Sequence, residues 1–348
     1  MELFLTPFLF PFISITFVKK QFLISTHDIF TISNQKQFDK MALKVFRLQY
    51  ENNLVYREFC DFLKTDVQKV KTIQQIPFLP IQFFKSHSVV SNSNPIQTIF
   101  TSSGTTGLVT SQHLVTDVSI YEESYRKGFS QFYGNIEDYV VLALLPSYLE
   151  REGSSLIHMV DDLIQLSNHP ESGFYLHNYD ELIEKIIQLD QSGQNVILIG
   201  VTYALLDLIE KHSFQLENTI IMETGGMKGK RKEMIREELH QQLCNGFGVK
   251  SIHSEYGMTE LLSQAYSLGD GIFECPSWMQ ISIRDTEDAL SYVREGKTGG
   301  INVIDLANIN SCSFIATQDL GKKYSNGSFE VLGRFDHSDI RGCNLMVV

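Results

Sequence analysis

The sequence predicts an α/β fold: a parallel sheet covered by helices, closed at its C-terminal end by a small β-rich subdomain. Three observations carry that expectation. Short apolar runs alternate with amphipathic stretches through the middle of the chain. Beyond Gly269 the pattern shortens into strands separated by turns. The 348 residues, 43% hydrophobic and 20% charged, are enough for one large domain with a sizeable core. No internal repeat or low-complexity linker divides them.

In chain order, Leu3 to Val18 is almost wholly apolar, is broken by Pro7 and Pro11, and is followed by Lys19 and Lys20. A signal peptide carries its positive charge before the apolar run and a small-residue cleavage site after it; this segment has neither. It is also short for a stable membrane span, so none is expected. Residues 1–27 therefore read as a leader upstream of the true start, with a marginal anchor or a docking segment as alternatives. Residues 28–348 read as the protein's own domain. From Asp28 to Leu63 the pattern is helical, with Phe38, Leu43, Phe46, Tyr50 and Leu54 on one face and Ser33 as the expected N-cap. Ile76–Pro80 reads as an extended connector, because each proline biases its predecessor away from helix. Gln97–Phe100 is a short strand.

Further on, Tyr139–Leu145, Asn195–Gly200 and Thr219–Met222 are buried-strand candidates. Asp180–Leu189, Ala204–Lys211 and Arg231–Leu243 are the helices between and after them. Met279–Ile283, Gly300–Ile304 and Ser328–Leu332 are the strands of the β-rich end.

The formal charge of −12 argues against a nucleic-acid partner, since binding a phosphate backbone needs a basic surface. An acidic protein still binds a nucleotide where backbone amides and a cation set the local field. Cys60, Cys244, Cys275, Cys312 and Cys343 are scattered, odd in number and without zinc spacing, which fits a reducing, cytoplasmic setting.

Two loops carry chemistry. Thr101, Ser102, Ser103, Gly104, Thr105, Thr106 and Gly107 form a Ser/Thr/Gly segment directly after a strand. Glycines let the backbone approach a phosphate, while amides and hydroxyls donate to its oxygens. No Gly-Lys-Ser/Thr ends the segment, so it is not a Walker A loop. By itself it reads equally as a phosphate cradle or a flexible turn. The second loop is Ser254-Glu-Tyr-Gly-Met-Thr-Glu260, which follows a strand candidate at 248–253. A carboxylate beside a hydroxyl there suits a hard cation and a phosphate.

With both loops in this order, the chain resembles the adenylate-forming superfamily of acyl-CoA synthetases and peptide-synthetase adenylation domains. The resemblance implies that the chain folds as that superfamily's large N-terminal domain. It implies that the 101–107 loop cradles ATP phosphates, Tyr256 packs on adenine, Thr259 bonds the α-phosphate and Glu260 holds Mg²⁺. Gln318-Asp-Leu-Gly321 is similar to the ribose-binding segment, with Asp319 accepting from both ribose hydroxyls; Gln318 stands where the family usually has glycine. Gly333-Arg-Phe-Asp336 with Asp339-Ile-Arg-Gly342 resembles the hinge motif, which turns Arg334 toward ribose or phosphate. Gly225 and Gly226 sit where relatives place an adenine-binding loop.

The chain ends six residues after Gly342, where most relatives continue into a small C-terminal domain carrying a catalytic lysine. That ending, Arg341-Gly-Cys-Asn344, and the phrases Tyr121-Glu-Glu-Ser124, Ser147–Arg151 and Met159–Leu163 are similar to the acyl-protein synthetase (LuxE-type) family. This resemblance implies an enzyme that activates a fatty acid as acyl-AMP and loads it onto Cys343. The partner it implies is an acyl-accepting protein: a reductase, a carrier or an acyltransferase. A thiolate attacks a mixed anhydride readily, and Arg341 favours the thiolate. Two other readings compete: a CoA ligase that leaves Cys343 idle, and a non-catalytic acyl-adenylate or ATP-binding module. His113, His158 and His253 are open candidates for a base or a pocket residue.

Overall fold

The computed structural model describes residues 24–102, 109–145, 153–176, 178–225, 231 and 234–335. Three helices open it: α1 (Thr26–Phe30), α2 (Gln35–Asn52) and α3 (Leu54–Phe62). Asn34, not Ser33, is the N-cap of α2, its side-chain oxygen accepting from the Gln37 N–H. Ser33 instead donates its hydroxyl to the Gln37 side chain. Chain order continues β1 (Leu79–Pro80), α4 (Phe83–Ser86), β2 (Thr98–Thr101), β3 (Gln112–Val115), α5 (Val118–Tyr133) and β4 (Val140–Leu144). Next come α6 (Ser155–Ser167), β5 (Gly173–Tyr175), α7 (Tyr179–Gln191), β6 (Val196–Val201), α8 (Thr202–Lys211), β7 (Thr219–Thr224), α9 (Arg236–Phe247) and β8 (His253–Tyr256). The last strands are β9 (Ala265–Ser267), β10 (Ile272–Glu274), β11 (Met279–Arg284), β12 (Gly299–Asp305), β13 (Phe314–Lys323) and β14 (Phe329–Arg334).

Among the described residues, twelve strands form one mixed sheet. Its parallel half is β5-β4-β6-β7-β8. Every residue of β4 and β6 is buried, as strands covered on both faces require. β9 then turns back antiparallel onto β8, and β10, β14, β13, β12 and β11 follow it antiparallel. The β-rich end is thus an edge-to-edge continuation of the same sheet. β11 alternates buried and half-buried residues, the mark of a strand with one covered face. α9 starts at Arg236, later than the Arg231 its apolar pattern suggests.

The opening helices pack on this β-rich end. Gln49 and Asn53 are buried and donate to the carbonyls of Asn308, Ile309 and Ser311. Tyr56 stacks on Phe314 and donates to the Pro77 carbonyl at 2.7 Å. That anchors the connector, whose β1 pairs parallel with β13 at Ile315 and Ala316. No helix of the described residues is long and apolar enough to cross a membrane.

Candidate active site

A cavity of about 1570 Å³ opens where the parallel half of the sheet meets its antiparallel half. Thr101, Ser102, Gly225, Tyr256, Thr259, Glu260, Asp319 and Arg334 all line it. These residues belong to motifs far apart in the chain, and the fold delivers them to one place.

The Ser/Thr/Gly segment begins at the end of β2, whose antiparallel partner β3 follows it in the chain. β2 pairs antiparallel with β3, and Thr101 lies opposite Gln112. Ser102 N–H donates to the Ser111 carbonyl at 3.1 Å, and Ser111 N–H to the Ser102 hydroxyl at 2.9 Å, so the base of the loop is pinned from both sides. Gly153 supports it, accepting from Thr101 N–H at 2.8 Å. With φ +78° and a would-be Cβ 2.9 Å from the Ile99 carbonyl, this position takes glycine and little else. Ser103, Gly104, Thr105, Thr106, Gly107, Gly226 and Cys343 lie outside the described residues.

Strand register builds the second part of the site. Asp319 on β13 is directly opposite Arg334 on β14, and their side chains meet at 3.4 Å. Tyr256 closes β8 and donates its hydroxyl to Asp319 at 2.8 Å. Burial pushes the phenol well above its ordinary value, and the Asp319 charge adds to that, so Tyr256 is a neutral donor. The Tyr256 ring sits edge-on to Phe273 and Phe329. β8 begins at His253 and runs into the motif, so Ser254, Glu255 and Tyr256 are strand residues and the loop proper starts at Gly257.

That loop is held from beneath. The buried Asp305 accepts from the N–H groups of Leu262, Ser263 and Ala307. Burial pushes its carboxyl up to about 6 in spite of these donors. Asn308 donates to the Glu260 carbonyl at 2.7 Å. His113 makes a 2.8 Å hydrogen bond to the Thr259 carbonyl. Burial brings this imidazole down to about 4, so at neutral pH it is uncharged and donates through Nδ1–H. His113 therefore positions the loop. His253 pairs with the Tyr133 hydroxyl and His158 with Glu122, and neither lines the cavity.

Glu260 is 5% exposed. Desolvation raises its carboxyl above the ordinary range, while the Ser111 hydroxyl and the charges of Arg334 and Lys85 pull it back. Lys85 on α4 escaped the sequence reading. It is exposed, lines the cavity and makes no ion pair with a described residue. The docking of β1 on β13 sets α4 there, and no local pattern signals it. A buried network was missed as well: Glu223 on β7 accepts from Arg236, His240, Thr202 and Ser254, which holds its carboxyl below the ordinary value. This network forms part of the cavity wall beside Gly225.

Among solved structures, 2-hydroxyisobutyryl-CoA ligase in complex with 2-HIB-AMP and CoA shares this fold. Its TM-score is 0.62 over 87% of this chain and 70% of that one, at 12% identity. ATP-bound MatB from Rhodopseudomonas palustris matches with a TM-score of 0.50 over 72% of this chain, at 16% identity, and this chain spans 50% of the MatB length. The fold is that of the adenylate-forming enzymes. The chain belongs to the acyl-protein synthetase family, LuxE, whose sequence model matches residues 16–136 and 167–348. It is 22% identical over 346 residues to the long-chain-fatty-acid–luciferin-component ligase of Vibrio harveyi, a match covering 92% of this chain and 90% of that one. The Photorhabdus luminescens protein of the same name is 40% identical over 70 residues, 20% of this chain and 60% of that one.

Proposed function

We propose that this ligase uses ATP to activate a long-chain fatty acid as acyl-AMP, transfers the acyl group to Cys343, and delivers it from there to a partner protein. The observation that carries the reading is the convergence of Thr101, Ser102, Tyr256, Thr259, Glu260, Asp319 and Arg334 on one cavity. Asp319 accepts the ribose hydroxyls while Tyr256 and Arg334 hold its carboxylate in place. The 101–107 loop and Thr259 orient the phosphates, so that the acid's carboxylate meets the α-phosphate and pyrophosphate leaves. Preorganised donors of this kind supply most of the stabilisation in such a transfer.

Mg²⁺ fits Glu260. Its desolvated carboxylate lines the cavity and would recover its ionised form beside a hard cation, which Glu260 would hold through one carboxylate. When bound, it neutralises phosphate charge. In the second step the Cys343 thiolate attacks the acyl carbonyl, the acyl–phosphate bond breaks, and AMP leaves.

Labelled fatty acid and ATP, incubated with the full chain without CoA, test both halves. Acid-dependent release of pyrophosphate is expected, together with a hydroxylamine-labile acyl group on the protein. Cys343→Ser should keep the first and lose the second. Pyrophosphate release without protein labelling would point instead to a CoA ligase, and no release to a binding module.

A further inference from the structure

Gln264 presents an unused hydrogen-bond donor to the cavity. Its side chain is 5% exposed and lines the cavity. Oε1 is fully enclosed but Nε2 is not, and no described residue accepts from that NH2 group. A nearly buried amide donor without a partner costs free energy, which a ligand oxygen placed against it recovers.

The chain on either side holds this donor still. Ser263 donates its N–H to Asp305 at 3.0 Å, and its hydroxyl accepts from the Trp278 indole N–H. Ala265 pairs with Tyr256 across β8 and β9. A donor fixed in advance loses little freedom when its ligand arrives.

Strand alternation selects the ligand. Successive side chains of a strand point to opposite faces. Tyr256 turns toward Asp319, on the side assigned to the ribose, and Glu255 turns the other way, toward Thr224. Gly257 shares the Glu255 face: a Cβ built on it would run into Glu255 Oε1 and lie 3.3 Å from Gln264 Cγ. Gln264 therefore stands on the side of β8 away from the ribose, beside the loop that carries Thr259 and the α-phosphate. The reactant that must meet the α-phosphate from that side is the acid. Glu255 already accepts from the Thr224 hydroxyl, and burial pushes its carboxyl up to about 7, so below that pH it does not repel an incoming carboxylate.

We propose that Gln264 Nε2 donates to the carboxyl group of the acid, holding the oxygen that does not attack. The inference rests on the reading that this cavity activates a carboxylic acid. One carboxylate oxygen bonds to the α-phosphorus as the bond to pyrophosphate breaks. The other, held by Gln264, becomes the carbonyl oxygen of the acyl-AMP, and no proton moves. When a thiolate later attacks that carbonyl, the same NH2 group meets the charge gathering on its oxygen.

ATP–pyrophosphate exchange by the full chain tests this, with dodecanoic, tetradecanoic and hexadecanoic acids as probes. Gln264→Met keeps the size of the side chain and removes the donor. KM for the acid should rise about tenfold or more, the loss expected for a hydrogen bond to a charged acceptor, while KM for ATP and the circular dichroism spectrum stay at wild type. Gln264→Glu keeps the shape and sets a carboxyl in place of the amide. Taken against wild type at the same pH, its defect in KM for the acid should be larger at about pH 8 than at about pH 6, where the introduced carboxyl is protonated and donates again. An unchanged KM for the acid in both variants, or a rise in KM for ATP that matches it, would overturn the inference while leaving the activation reading intact. Absence of exchange by the wild type with all three acids would overturn both.

Discussion

Replacing Asp319 by asparagine separates nucleotide binding from folding. The carboxylate is buried, accepts from the Tyr256 hydroxyl at 2.8 Å and faces Arg334 Nε at 3.4 Å. The asparagine side chain would keep the shape and one acceptor oxygen, so Tyr256 retains a partner. The Arg334 side chain is 80% exposed, and the pair it loses contributes about 0.5 kcal/mol at most after solvent screening. In a domain of this size that moves Tm by about 1 °C or less. ATP would lose one of two hydrogen bonds to a charged acceptor, roughly 1.5–3 kcal/mol, or about ten- to hundredfold in kcat/KM for ATP. Steady-state ATP–pyrophosphate exchange at saturating acid reads this directly. KM for ATP should rise while KM for the acid stays put, with circular dichroism and Tm close to wild type. An unchanged KM for ATP in a folded variant would refute the assignment of Asp319 to the ribose.

Lys85→Ala should slow pyrophosphate release about tenfold with little change in Tm, because this cation faces Glu260 across the cavity yet makes no ion pair with a described residue. Asp305→Ala should be strongly destabilising, roughly 3 kcal/mol or more by urea unfolding, since it strips three buried N–H donors of their acceptor. Glu255→Gln should change the pH dependence of stability in the ligand-free chain. The Glu255 carboxyl ordinarily titrates at 4.5 and is held at about 7 in the fold, so the folded state binds the extra proton between those values and wild-type stability falls as pH rises through them. The glutamine variant should therefore match wild type near about pH 5 and exceed it by about 3 kcal/mol near about pH 8. Equal stability curves would show that Glu255 is solvated in solution.

Much of the site was legible because its chemistry is local. A phosphate loop needs glycines and hydroxyls within a few residues, and Tyr256, Thr259 and Glu260 share one heptapeptide. What stayed hidden depended on partners far along the chain. β13 alternates in burial from Ile315 to Lys322, yet its sequence shows no apolar alternation, because its inward positions include Thr317, Asp319 and Gly321, of which the first two serve the cavity instead of the core. His113, Asp305 and Asn308 look like ordinary polar residues until the loop they hold, distant in sequence from His113, is packed against them.

Apolar periodicity is a property of neighbouring residues, so the chain alone dictated the alternating α/β plan and the order of the motifs. Tertiary packing was needed to show that the β-rich end extends the same sheet. It was needed as well to bring Lys85 to the cavity on α4, and to gather the donors Arg236, His240, Thr202 and Ser254 around Glu223. The reason is physical: whether a buried polar group is satisfied depends on which distant groups the fold places within hydrogen-bonding reach, and no local pattern encodes that distance.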